Sequence, residues 1–186
     1  MFTPFWRAVL AAGEPDAPLP APRGIDGAPA PKGAIDLDDL KPLPQKPDWA
    51  GGLREAWTPG EKAAAKRLSD FLDEGLRDYG ERRDIPGVEG TSRLSPHLAF
   101  GEISPRQIWA ATRHAAAANP RLQRGCDRFL SEIGWREFSY CLLFHNPDLA
   151  TKNFDDRFDR FEWDRPSEKT LETWRRGRTG YPIVDA

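Results

Sequence analysis

The chain has 186 residues, 39% of them hydrophobic, enough for one domain with a sizeable core. Lys plus Arg number 27 against 29 for Asp plus Glu, so the summed charge gives no general affinity for polyanions, and a nucleic-acid partner needs a local basic patch. Cys126 and Cys141 form no CxxC, no run approaches the roughly 18 apolar residues of a membrane span, and MFTPFWRAVLAAG is too short and too aromatic for a secretory leader. A disulfide scaffold and a membrane protein are thereby disfavoured, and a cytoplasmic monomer with free thiols is expected.

In chain order, FTPFWRAVLAA comes first. It sets Phe5, Trp6, Val9 and Leu10 at helical spacing, an apolar face whose partner is not obvious elsewhere in the chain. Eleven of the 18 prolines lie before residue 60, in stretches such as EPDAPLPAPRG and KPLPQKPDW, so residues 13–57 read as a linker without a regular ladder. Thr58-Pro59-Gly60-Glu61 predicts a capping box, followed by a helix burying Ala64, Leu68, Phe71, Leu72 and Leu76. Ser95-Pro96 opens a short helix ended by Gly101, and Ser104-Pro105-Arg106-Gln107 predicts a second capping box, with Asn119-Pro120 as the stop. A long helix follows from about Arg121 to Phe144, with Phe129, Leu130, Ile133, Phe138, Cys141 and Leu142 as core and His145-Asn146-Pro147 as terminator. Residues 148–166 lack helical periodicity; the aromatics Phe154, Phe158, Phe161, Trp163 and Trp174 read as pins that hold irregular segments to a helical core. Ser167 caps a helix that ends at Gly177, and Tyr181-Pro182 begins another. With no alternating strand, the fold class is all-α.

Two stretches carry chemistry. Thr91, Ser92 and Ser95 place hydroxyls at a helix start, where unpaired N–H groups attract an anion, and Arg93 adds full charge. The commoner use of such residues is a plain N-cap in a polar loop. In FLSEIGWREFSY, Glu132, Trp135, Arg136 and Ser139 share one helical stripe, where a surface Glu–Arg pair beside a core tryptophan is the plainer alternative. The basic run Lys169 to Arg178 reads as a solvated helix end. None of the three histidines has metal-ligand spacing, so no metal is assigned.

Four blocks in this order, YGERRDIPGVEGTSRLSPHLAFGEISPR, FLSEIGWREF, DRFDRFEW and WRRGRTGYPIVDA, resemble the flavin-binding domain of the photolyase and cryptochrome family, closest to its members that repair cyclobutane pyrimidine dimers. The resemblance covers residues 58–186 as the N-terminal part of that helical domain, and FTPFWRAVLAAG looks like the end of the family's antenna domain over residues 1–12, with 13–57 as interdomain linker. It implies FAD as cofactor, damaged DNA as partner and a folate or deazaflavin antenna held only by a preceding domain. By position, Tyr79, Thr91, Ser92, Arg93, Leu94, Ser95, Phe129, Glu132 and Arg136 would contact FAD. Phe129 stands where the family often has tryptophan, which keeps an aromatic wall but removes an N–H donor. Glu132 and Trp135 would touch the lesion, and Trp163 would be the outermost tryptophan of the reducing chain. Arg83 and the run Glu132, Ile133, Gly134, Trp135, Arg136, Glu137, Phe138 and Ser139 would meet DNA.

Three readings follow. The chain comes from a light-driven lyase of pyrimidine dimers, from a cryptochrome photoreceptor, or it is a helical interaction module without cofactor. Glu132 together with Trp135 favours the first. In that chemistry a carboxyl at Glu132 needs a buried, dry site that keeps a proton on it. Taken alone, residues 1–186 are expected to bind FAD poorly, to expose apolar helix faces and to be inactive.

Overall fold

The computed structural model describes residues 1–44 and 46–185, and among them every regular element is helical, as the punctuation requires. The α-helices are α1 (Phe2–Ala11), α2 (Gly51–Ala56), α3 (Glu61–Asp70), α4 (Tyr79–Arg82), α5 (Ser95–Ala99), α6 (Pro105–Ala118), α7 (Gln123–His145), α8 (Glu168–Arg175) and α9 (Pro182–Asp185). The chain divides into two compact units, Met1–Ser139 and Tyr140–Ala186.

Two of the four expected caps form. At Ser104 the box forms in both directions: the hydroxyl accepts from Gln107 N at 3.2 Å, and Ser104 N donates to Gln107 Oε1 at 2.8 Å. Ser167 caps α8 by accepting from Thr170 N at 3.2 Å. The Thr58 box does not form. Gly60, at φ 104°, is the N-cap of α3, because a glycine reaches that backbone conformation at little cost and turns the chain after Pro59. Ser95 likewise is the first residue of α5 and not its cap, which is Leu94 without a side-chain bond.

The core of the first unit grows from α3. Ala64, Leu68 and Phe71 follow helical spacing, and Leu76 then lies five residues past Phe71. A π-helical turn, Phe71–Gly75, absorbs the extra residue, with Leu76 N donating to Phe71 O at 2.9 Å, so the apolar face stays aimed inward. Tyr79, Leu94, Ile108, Phe129 and Ile133 close this cluster, while Ala116, Cys126 and Leu130 form a smaller one beneath Trp109. Gly125 sits where α7 meets the Leu76 carbonyl; a Cβ there would collide with that oxygen.

The partner of α1 lies within this chain, contrary to the sequence expectation. Trp6 lies on Gly134 of α7, where an added Cβ would stand 2.5 Å from its ring. Phe2 stacks on Trp135, Phe5 tilts against Phe138 at 5.2 Å, and Trp6 meets Trp109 of α6 edge-on at 6.1 Å. Periodicity exposed the apolar face of α1 but not the glycine that receives it.

The described residues of 13–57 are largely exposed and irregular, interrupted by a 3-10 turn at Leu37–Leu40 and by α2. Their start is tied to α6. Glu14 accepts from Trp109 Nε1 and pairs with Arg113 at 2.9 Å, and Asp16 pairs with Arg106 at 3.4 Å.

The second unit has no buried side chain among its described residues. Phe154, Phe158, Phe161, Trp163 and Trp174 are exposed, so they do not act as the expected pins here. The irregular stretch holds two 3-10 turns, Pro147–Ala150 and Asp156–Arg160, the second capped by Asp155 accepting from Arg157 N at 3.0 Å. Near its end, Asp185 accepts from Thr179 N at 2.7 Å, Thr179 Oγ1 at 2.6 Å and Gly180 N at 2.9 Å.

Candidate functional site

The sequence-assigned residues Tyr79, Arg83, Phe129 and Glu132 come together in the first unit. Phe71, Tyr79 and Phe129 form a three-ring wall with centroids 4.7–5.5 Å apart. Above it the Arg83 guanidinium lies 5.4 Å from the Tyr79 ring centre, donates to Tyr79 Oη at 3.5 Å, and pairs with both Asp84 and Glu132. Burial pushes the Tyr79 phenol above its ordinary value, against the opposing pull of the Arg83 charge, so its hydroxyl is a neutral donor at physiological pH.

Glu132 is the hinge of the arrangement. α7 points it back toward Arg83, and Arg128, one turn earlier, adds a second guanidinium at 3.7 Å. Sequence spacing favoured Arg136 as its partner; instead Arg136 donates to Glu137 at 2.7 Å. Nor is Glu132 in the dry, charge-poor site that its expected chemistry needs: its side chain is 24% exposed and ion-paired to two arginines. Arg128 carried a readable signal, four residues before Glu132, whereas Arg83 is distant in sequence.

The Thr91–Ser95 run has a shape that the sequence did not reveal. Arg93 has left-handed backbone at φ 53° and Leu94 follows near the right-handed region at φ −87°, ψ −5°. Such a left–right pair turns successive N–H groups toward one concave side, a nest that suits an anion. Leu94 is buried as the anchor, Ser92 is half-buried, Thr91, Arg93 and Ser95 are exposed, and Arg93 pairs with Glu89 at 2.8 Å. Ser95, released from capping, is exposed like Arg93.

The run expected to face DNA is divided. Ile133 and Gly134 are buried, Gly134 beneath Trp6, and Phe138 is half-buried against Phe2 and Phe5. Ile133 belongs to the core and α1 packs on Gly134 and Phe138, so these three are not an open face. Trp135, Glu137 and Ser139 are exposed, with Ser139 Oγ donating to Trp135 O at 2.9 Å. A cleft of about 680 Å³ opens between α1, the start of α6 and α7, lined in part by Trp6, Trp109, Ile133, Gly134 and Glu137. In the second unit Trp163 is exposed beside Phe161, whose centroid is 4.8 Å away. His97 is buried, but its Nδ1 faces Glu102 Oε2 at 2.5 Å and its ring meets Trp57 edge-on at 6.4 Å. Among the described residues no cluster of His, Cys, Asp and Glu suits a metal, and no helix is long and apolar enough to cross a membrane.

The family profile described as "FAD binding domain of DNA photolyase" matches residues 129–186. A deoxyribodipyrimidine photo-lyase of Agrobacterium fabrum is 48% identical over 190 residues, covering 100% of this chain and 38% of that protein. Cryptochrome-1 of Arabidopsis thaliana is 34% identical across 100% of this chain and 28% of its own length. The crystal structure of a bacterial class III photolyase from Agrobacterium tumefaciens superposes with a TM-score of 0.91 at 47% identity, over 100% of this chain and 38% of that one. The chain thus spans well under half the length of these relatives. Over the stretch that it spans, in sequence and in helical fold alike, the chain is similar to members of the photolyase and cryptochrome family.

Proposed function

We propose that the protein carrying this chain repairs cyclobutane pyrimidine dimers in DNA under light, as a deoxyribodipyrimidine photo-lyase. The observation that carries the reading is the placement of Glu132: one helix sets it beside the Tyr79 and Phe129 wall and three residues before the exposed ring of Trp135. Reduced FAD, when bound, would supply the light-excited electron donor. The chain's residues fit that group: the Arg93–Leu94 nest, Arg93 and Ser95 suit its phosphates, and the Tyr79 hydroxyl is a neutral donor, while the Tyr79 and Phe129 rings, 6% and 3% exposed, belong to the core.

The remaining steps are positional. A damaged pair must leave the stack, which costs a few kcal/mol and least where stacking is already poor. Trp135 offers the extruded pair a ring to rest on, worth about 1–3 kcal/mol per base by analogy with single-strand binders. Glu132 accepts from an N–H of the base edge, a role that needs no proton on its carboxyl, and Arg83, already at the rim of the cluster, meets a phosphate. Arg136, on the same helix, would help hold the cofactor. Trp163 is assigned as the outer relay that keeps the cofactor reduced, and its exposure supports exchange with an external donor.

We further assign residues 1–12 to the end of an antenna domain, 13–57 to the linker and 58–186 to part of the FAD domain, with a folate or deazaflavin antenna outside this chain and a cytoplasmic monomer as the working form. Residues 1–186 alone should hold FAD weakly, which the unburied aromatics of 154–174 support. A photoreceptor role is the second reading, favoured by the cryptochrome among the relatives. The test is repair of an oligonucleotide carrying one thymine dimer by the full-length protein, in blue light and in the dark. Light-dependent restoration supports the lyase. A flavin-loaded protein that restores nothing would favour the photoreceptor.

A further inference from the structure

Trp135 is 43% exposed, yet its ring is held on one side. Phe2 lies face to face with it at a centroid distance of 3.8 Å and 9° between planes, and Phe138 stands edge-on at 5.8 Å and 76°. Phe2 is itself fixed: it meets Phe138 edge-on at 5.9 Å and lies nearly parallel to Trp6 at 6.0 Å, and Trp6 is seated on Gly134. An exposed tryptophan on a helix has more than one open rotamer. A parallel ring on one face and an edge against its side remove that choice and leave the opposite face outward.

We propose that Phe2 is a positioning residue for Trp135, fixing the indole so that a single face is offered to an unstacked base of damaged DNA. This rests on the repair reading. It also gives α1 a role beyond packing, since Phe2 stacks on Trp135, while Phe5 and Trp6 seat the helix on Phe138, Gly134 and Trp109. A stack of this kind is worth enough to change a rotamer population several-fold.

The experiment compares full-length wild type with Phe2→Leu and Phe2→Tyr, each also in a Trp135→Ala background. Two quantities are read: acrylamide quenching of the fluorescence that Trp135→Ala removes, and the ratio of affinities for a thymine-dimer duplex and an undamaged one. Phe2→Leu is expected to raise the quenching and to lower the ratio by about 3- to 10-fold, with undamaged binding and repair per photon at saturating DNA unchanged. Phe2→Tyr, which keeps the ring, should match wild type. With Trp135→Ala present, Phe2→Leu should lower the ratio no further. Should Phe2→Leu not fold, Phe2→Met keeps the volume without the ring and takes its place.

An unchanged ratio in Phe2→Leu, or an equal loss with and without Trp135, would overturn the proposal. Unchanged quenching would overturn the holding role by itself. A wild-type protein that binds both duplexes equally would instead overturn the repair reading and the stacking it implies, while the quenching still decides whether Phe2 holds the ring.

Discussion

Helices α1 and α8 both carry tryptophan on an apolar face, and the two faces end differently. Trp6 of α1 is seated on a glycine of α7 and ringed by other aromatics, whereas Trp174 of α8 remains exposed and that helix is secured by its Ser167 cap. The contrast extends to the units that contain them. Residues 1–139 are held by side chains distant in sequence, residues 140–185 by bonds between near neighbours such as Thr179 and Asp185. A region of the first kind resists small changes of shape, and one of the second kind barely registers the loss of a ring.

Substitutions can break that contrast. Phe71→Ala, in the centre of the first unit, should cost about 3–5 kcal/mol in urea unfolding, because the ring wall beneath Tyr79 would be left with a cavity. Gly134→Ala should cost about 1–3 kcal/mol by forcing Trp6 off α7, and much less in a Trp6→Ala background; equal losses in both would deny the docking of α1. Phe158→Ala, in the second unit, should change stability by less than about 0.5 kcal/mol.

A smaller, pH-dependent effect sharpens the picture near the linker. The Glu102 carboxyl lies below its ordinary value of 4.5, first through the His97 side chain and then through the Gly60 amide. A depressed value in the folded state means that the stabilisation is present above pH 4.5 and is lost as pH falls through the lowered value. The advantage of wild type over Glu102→Gln in thermal unfolding should therefore narrow in that acid window. A gap constant through it would remove the assignment.

Helical class, the Ser104 and Ser167 caps and the buried stripe of α3 were legible because each is a local rule written within about seven residues. The failures share a cause as well. Thr58 and Ser95 lost their capping roles to backbone choices at Gly60 and Leu94, which depend on where the next helix is pulled by its packing. The π-helical turn kept Leu76 inside for a reason other than the periodicity that suggested it. Within the site, four assigned residues met as a cluster, but the partners of Glu132 came from Arg83, far away in sequence, and from Arg128, not from Arg136. The left-handed Arg93 has no signature in residue type, since non-glycine residues seldom adopt it.

The most direct measurement is the light-driven repair yield per absorbed photon of full-length protein, wild type against Glu132→Ala, at DNA concentrations that saturate both. The account predicts that wild type restores the dimer only in light and that Glu132→Ala loses yield several-fold while its flavin stays bound. An equal yield from the two proteins would contradict the role given to Glu132 at the centre of the site.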